Sequence, residues 1–416
     1  MAACGLDFGT SNTTLGTIAK GRTALLALEG SEVTIPSAIF YEPRGGSRIG
    51  RAAIGAYVEG LDGRLMRSLK SVLGSSLLNE ITQVGRERLS FRQVIAGYIG
   101  AVKKRAEAAC GHELTQVVHG RPVHFVDGNE AGDRKAEEAL REIAHEIGFK
   151  DVIFQYEPIA AALDYEQQID HEEIALIADI GGGTSDFSII RLGPGHARRA
   201  DRAQDILAND GVRIGGTDFD RQISLRRIMP QLGMGSPMKR KDLDVPSSFF
   251  HDLASWHSIN RLYDPAVLRS INEVRRDAAK PELIDRLVKT VEERRGHALA
   301  GAVEAAKIGL SDVPETTIPL DWLERDLEVS FGRHDLAGDT ADLADRIAAR
   351  IGKCLAQAGI NAKAVDAVFL TGGSTKLTHV REAIAASLPD ARAVTGDSFG
   401  SVGLGLTIDA KRRFGH

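Results

Sequence analysis

Two short acidic turns carry the residue types best suited to chemistry: Asp7-Phe8-Gly9-Thr10-Ser11-Asn12 and Asp179-Ile180-Gly181-Gly182-Gly183-Thr184-Ser185. Glycine reaches backbone angles closed to other residues and lets main-chain N–H groups approach a ligand, so such turns can cradle phosphate oxygens. The hydroxyls of Thr10, Ser11, Thr13 and Thr184 add donors. Each Asp closes an apolar run. A carboxylate in that place suits a magnesium ion that keeps most of its own waters and takes one or two carboxylates beside phosphate. Asp7 and Asp179 are the candidates, acting through water. One Asp-x-Gly-Thr alone is an ordinary hairpin turn. Two of them, about a domain's length apart, fit a nucleotide held between two duplicated lobes.

The flanking patterns say what must position these turns. Apolar runs at 2–6 and 174–178 precede them, and alternating segments at 13–19 and 187–192 follow, so each site reads as strand, tight turn, strand. Periodicity predicts helices near 61–73, over 91–110 and over 133–147, then a strand at 152–155 and a small-residue helix at 158–165. A strand at 203–209 leads to Gly215-Gly216-Thr217-Asp218-Phe219-Asp220, a glycine turn before a helix capped by Thr217 or Asp218. Residues 230–307 read as charged helices without a strand signal. A buried strand at 367–370 runs into a third glycine turn, Thr371-Gly372-Gly373-Ser374-Thr375.

The chain has 416 residues, 43% hydrophobic and 26% charged, which is ordinary globular composition and room for two or three domains. A formal net charge of −5 gives no global attraction to nucleic acid or to an anionic membrane. Neither partner is expected. Cys4, Cys110 and Cys354 have no paired spacing, which argues against a disulfide framework or a zinc site. With no signal-like start and no apolar run of spanning length, the reading is a soluble cytoplasmic protein. The P-loop pattern and the dinucleotide G-x-G-x-x-G are absent, as are H-E-x-x-H and G-x-S-x-G. Phosphate handling without a P-loop points to an α/β, actin-like ATPase fold. It would have two duplicated lobes, each a central mixed sheet flanked by helices, with the nucleotide cleft between them. Lobe I is expected over 1–172, with an insertion at about 38–95. Lobe II covers 173–416, with a helical insertion at about 213–311 and a C-terminal helix closing the cleft.

Further segments in order resemble the nucleotide-binding domain of the DnaK-type chaperones of the heat shock protein 70 family. Gly5 to Asn12 is similar to that family's opening signature and Asp179 to Asp186 to its second. Gln155-Tyr156-Glu157-Pro158-Ile159-Ala160-Ala161-Ala162 resembles its Glu-Pro-Thr-Ala-Ala-Ala segment, and Glu304 to Ser311 the helix that lines its adenosine pocket. Leu370 to Leu377 resembles the adenosine loop and Asp397 to Gly405 the closing helix. The resemblance spans nearly the whole chain and implies ATP or ADP with Mg2+ as cofactors. It implies that Lys70 orients the attacking water and offsets charge on the γ-phosphoryl group, with Glu157, Thr184 and Asp179 as its catalytic companions. Gly9, Thr10, Ser11, Asn12, Gly181, Gly182, Gly183 and Thr184 would hold the phosphates. Gly215, Gly216, Glu304, Lys307, Ser311, Gly372, Gly373, Ser374, Lys376 and Asp397 would frame the ribose and base.

The departures are Thr217 in place of an acidic residue, Ile159 in place of Thr, and Lys376 in place of the Arg that stacks on adenine. The sequence stops at His416, and its layout is closest to the short, YegD-like members that lack the substrate-binding domain. The implied activity is a slow magnesium-dependent ATPase acting as a chaperone-like switch on a protein client or co-chaperone, met through the helical insertion at 230–303. Two alternatives stand beside it: a sugar-type small-molecule kinase of the same superfamily, and a nucleotide-binding module without hydrolysis.

Overall fold

Apolar runs punctuated by glycine turns build two central sheets on one plan. The computed structural model describes residues 2–19, 21–84, 87–126, 128–197, 199–240, 242–394 and 400–415. The first sheet runs in the order Asp151–Tyr156, Gln116–Arg121, Ala3–Phe8, Asn12–Ala19, Arg22–Leu25, with Thr34–Pro36 also paired to Asn12–Ala19. The second runs Arg392–Val394, Ala367–Thr371, Glu173–Ile180, Ser185–Leu192, Ile206–Val212. In both, two parallel pairings lead to the strand that carries the acidic turn, and two antiparallel pairings follow it. That central strand is buried nearly throughout, as expected where both faces of a sheet are covered.

The covering helices are specified locally. Phe91–Cys110 starts at a reciprocal Ser90–Gln93 cap and stops at Gly111, whose φ of 77° is the left-handed turn that ends helices. Its Val94, Ile95, Tyr98, Ile99 and Val102 pack with Leu6, Phe8 and Leu15. On the opposite face lies Ser401–Phe414, and here small residues decide the fit. A Cβ on Gly5 would sit 2.2 Å from the Thr407 nitrogen, and one on Gly405 would sit 1.8 Å from the Ala160 carbonyl oxygen. The backbones touch, so no side chain can enter either place.

By packing, the chain divides into two compact units. One comprises 1–213, 349–375 and 384–416 and holds both sheets. The other comprises 214–348 and 376–383, with helices Gly216–Ile223, Pro265–Asp277, Pro281–Glu292 and Gly296–Gly309 and a ribbon of Glu315–Pro319 against Glu328–Gly332. Its interior includes Phe219, Phe250, Ile259, Leu262, Ile284 and Leu287, all fully buried. The segment read as charged helices thus has its own core. Among the described residues no helix is long and apolar enough to cross a membrane.

Three local expectations are corrected. No helix spans 61–73: the helix is Arg51–Val58, Arg64–Arg67 is a strand antiparallel to Ala38–Tyr41, and Leu69–Val72 forms one 3-10 turn. Gly60 and Gly63, at φ 74° and 156°, break the helical path, and pairing with a neighbouring strand outweighs the local pattern. The strand expected at 203–209 lies at Ile206–Val212. Gly215, not Thr217, caps the next helix, and its N–H donates to the Asp218 carboxylate at 2.9 Å.

Helix Glu157–Glu166 is fixed at its far end by a buried ion network. The Arg202 guanidinium, fully buried, donates two hydrogen bonds to Glu166, each 2.9 Å, and a third to Asp205. Asp205 also meets His196 Nδ1 at 2.6 Å and Arg199 at 2.9 Å. Burial pushes the Asp205 pKa up, but the bonds from Arg202 and His196 outweigh it and hold the carboxyl below its ordinary range. A carboxylate depressed in the folded state stabilises above its unfolded value of about 4 and loses that contribution as pH falls through the folded value. Asp205→Asn should therefore cost about 3 kcal/mol at neutral pH, since it strips a partner from a buried charge. Urea unfolding across pH should show the gap to the parent protein closing below about pH 4.

Candidate functional site

Both acidic turns close in the same way. The Gly9 N–H donates to the Asn12 carbonyl at 2.9 Å, and the Gly181 N–H donates to the Thr184 carbonyl at 2.9 Å. Each hairpin therefore has a two-residue tip, Thr10-Ser11 in one and Gly182-Gly183 in the other. A Cβ on Gly9 would meet the Asn12 carbonyl oxygen at 2.4 Å, which explains that glycine. Ser37 braces the first hairpin: its hydroxyl donates to the Gly9 carbonyl at 2.7 Å and its N–H to the Ser11 carbonyl at 2.8 Å. The Thr13 hydroxyl, read as a ligand donor, is buried and lies 3.0 Å from the Ser37 hydroxyl instead. The hairpins face each other, because a Cβ on Gly182 would lie 2.4 Å from Ser11 Oγ.

The third glycine turn joins them. Gly372 has φ 80°, and a Cβ there would sit 2.3 Å from the Ile180 carbonyl oxygen and 2.7 Å from Asp179 Oδ1. Ser374, in the 3-10 turn Gly373–Lys376, donates its hydroxyl to the Gly181 carbonyl at 3.2 Å.

Around these turns the structure gathers charge. Lys70 projects from the turn Leu69–Val72, entered through Ser68 at φ 55°. Its Nζ lies 2.5 Å from Glu157 Oε1, with the two side chains only 10% and 17% exposed. Glu157 is the first residue of its helix, where Pro suits the next position. Burial opposes the Lys70 charge, but Glu157 and Asp7 outweigh it and hold the ammonium above its ordinary pKa. Burial and then the Glu157 charge push Asp7 up to about 8. The same two causes, in the same order, raise Asp179, with Lys70 and the Thr371 hydroxyl opposing. Asp7 and Asp179 thus feel one another, Glu157 and Lys70 in one shared environment.

Asp186 is a member that the sequence reading did not single out. It lies directly across the ladder from Asp179 and accepts a hydrogen bond from the Thr184 hydroxyl at 3.0 Å. Water reaches it, yet the protein around it and then Asp179 push its pKa up to about 7. The signal available was the two-residue step from Thr184, just before strand Ser185–Leu192, to Asp186 within it, since side chains two apart on extended backbone point the same way.

Gly215, Gly216, Glu304, Lys307, Ser311 and Lys376 all lie in the second unit. Glu304 is exposed and Lys307 buried, although both stand on helix Gly296–Gly309. The Lys307 ammonium donates to the Gly216 carbonyl at 3.0 Å and pairs with Asp220 at 2.8 Å. Asp397 lies outside the described residues.

Two sheets of equal strand order, each opening on an acidic hairpin aimed at the other, define an actin-like ATPase fold. A sequence profile described as Hsp70 protein matches residues 3–229 and 269–406, most of the chain. The chain belongs to the Hsp70 family, whose members are ATP-binding proteins of chaperone type. It is similar to the chaperone protein HscA of Edwardsiella ictaluri (strain 93-146), at 28% identity over 433 aligned residues. That alignment takes in 99% of this chain and 56% of HscA.

The contact between the hairpins gives a test that needs no ligand. Gly182→Ala should lower stability by no more than about 1 kcal/mol, the cost of turning the Ser11 hydroxyl aside. Thermal unfolding of Gly182→Ala with and without Ser11→Ala should show partial recovery in the double variant.

Proposed function

We propose that this protein is a slow magnesium-dependent ATPase, with closure of the lobes 1–172 and 173–416 on nucleotide serving as a chaperone-like switch on a protein partner. The observation that carries the reading is the Lys70–Glu157 pair, whose charges act on both the Asp7 and the Asp179 carboxylate. Phosphoryl transfer needs little covalent chemistry from a protein and depends on positioning and charge. Thr10, Ser11, Gly182, Gly183 and Thr184 cradle the β- and γ-phosphates at the hairpin tips, with Gly9, Asn12 and Gly181 closing the turns. The Lys70 ammonium offsets charge on the γ-phosphoryl oxygens and orients water. Glu157, 2.5 Å from that ammonium, fixes its position and stands ready to take the proton of the water it orients.

The donor set also fits magnesium. Asp7, Asp179 and Asp186 supply hard oxygens; burial first, and neighbouring carboxylates second, raise their pKa values, and a bound dication would favour their charged forms. Among the described residues no group of three or more His, Cys, Asp or Glu could cage a metal. A dication that keeps its water shell, held through water by Asp7 and Asp179, matches such a site better than a caged one. When bound, it supplies charge neutralisation at the phosphates.

For the partner surface we propose the helical insertion at 230–303. The family profile passes over 230–268, and helix Pro265–Asp277 buries Ile271 while Arg269, Glu273, Arg275 and Arg276 stay exposed. A soluble protein client or co-chaperone would meet that charged face.

Lys70→Ala should reduce ATP turnover on the order of 10²–10³-fold while ATP binding persists. Phosphate release by the purified protein with Mg2+, compared with the same assay in chelator, reads this directly, and an unchanged rate in the variant removes the assigned site. A screen of small-molecule alcohols for phosphorylated products decides against the kinase alternative if none forms. Calorimetry with ATP and ADP separates the third reading, a module that binds without hydrolysis.

A further inference from the structure

Two elements that bear site residues are neighbours in the chain. Helix Glu157–Glu166 starts with Glu157, strand Glu173–Ile180 has Asp179 at its far end, and the turn 167–172 joins them. That turn is fastened to the segment 193–205 around one buried ring. His196, on the short helix Pro194–Ala197, is 6% exposed. Its Nδ1 lies 2.6 Å from Asp205 and its Nε2 lies 2.9 Å from Glu172. Burial opposes the Asp205 charge, but Arg202 and His196 outweigh it, and the bond to His196 is the main cause that lowers Glu172. Both carboxyls are therefore charged at neutral pH and accept. Each ring nitrogen must donate, and only the imidazolium carries two N–H groups.

Among the described residues, the charges around this ring come from several elements. Helix Glu157–Glu166 brings Glu166, which holds Arg202 and accepts from the Gly193 N–H at 3.1 Å. Strand Ser185–Leu192 brings Arg191, 3.3 Å from Glu172. The ring's own segment brings Arg199 and Arg202, both on Asp205, and helix Ser401–Phe414 brings Arg412, which donates to the Ala197 carbonyl. His171, on the turn itself, pairs with Asp170 at 2.7 Å and lies 3.5 Å from Glu173. Asp205 thus keeps two guanidinium partners in a buried place, whereas Glu172 is 59% exposed and can turn to water. When the ring gives up one proton, the remaining N–H is lost at least cost from the exposed side and stays on Nδ1. Nε2 then presents a lone pair to Glu172, and the two repel.

We propose that His196 is a proton-operated clasp: as imidazolium it ties Glu172, on the turn 167–172, to Asp205, on the segment 193–205, and the neutral ring releases Glu172 while it keeps Asp205. The sense follows from the contacts. The tie is complete while the ring is charged and is lost as pH rises through the ring's titration, in the range of about 5 to 8 where histidine changes charge. What the proton controls is the connection between the helix that begins with Glu157 and the strand that leads to Asp179. The clasp needs no nucleotide, so it stands apart from the ATP reading.

Nitrogen NMR of the His196 ring in the full chain tests the protonation step. Both nitrogens should carry protons at about pH 5.5, and Nδ1 alone at about pH 8.5. A ring that stays charged or stays neutral across that range, or that keeps its last proton on Nε2, overturns the proposal. Hydrogen exchange reads the release. After correction for the intrinsic rate at each pH, amides at 167–173 should exchange about two- to fivefold faster at the higher pH, the range of a half-exposed ion pair. Exchange that does not change with pH overturns the proposal. Glu172→Gln, a surface change, should abolish this pH dependence. His171 is still present in that variant, so a dependence that survives belongs to His171 and overturns the assignment to His196. His196→Gln should show the faster exchange already at the lower pH, and where it fails to fold, Glu172→Gln decides.

Discussion

Asp7, Glu157, Asp179 and Asp186 share the neighbourhood of Lys70, and a protein interior screens their repulsion far less than water does. Such crowding persists only if the backbone beneath it cannot give way. The fold supplies that resistance along helix Glu157–Glu166. Its middle lies against helix Ser401–Phe414, with the Ala160 carbonyl where a Gly405 side chain would be, and its last residue is gripped by Arg202. The Glu157 carboxylate thus stands on a short rod pinned along its length. Small residues and one buried guanidinium hold the helix that carries Glu157.

The two sheets have one strand order but do not contribute equally. Where the second sheet sets Asp186 beside Asp179, the first sets Thr14 beside Asp7. Lys70 comes from the 38–95 region of the first half, outside the shared strand plan. The duplicated scaffold therefore supplies matching carboxylates, and each half adds something of its own: an ammonium from one, an additional carboxylate from the other.

Much of the fold could be read in the sequence, because the signals were local. The acidic turns sit between apolar runs, helix Phe91–Cys110 announces its start with Ser90 and Gln93, and Gly111 marks its end. The helix expected at 61–73 failed because Arg64–Arg67 takes its structure from a partner strand more than twenty residues earlier. Among site residues, Asp7 and Asp179 follow from residue type and place. Lys70 and Glu157 could be singled out only through the family resemblance, since nothing near either marks it and they meet across 87 residues. The inward turn of Lys307 was equally hidden, because Asp220 lies far from it in the chain and carboxylates on helices are usually solvated. Arg202 left no mark at all: an arginine reads as surface until its two acceptors are seen.

The meeting of Gly5 with Thr407 has a consequence for how the molecule is made. Strand Ala3–Phe8 is synthesised well before the helix that seals one of its faces, which follows about four hundred residues later. In the interval a glycine-lined groove of bare backbone stays uncovered, with nothing of the right shape yet synthesised to fill it. A nascent chain of this design must be kept from pairing that surface with something else, so a protein whose relatives include a chaperone enters the cell with a folding problem of its own.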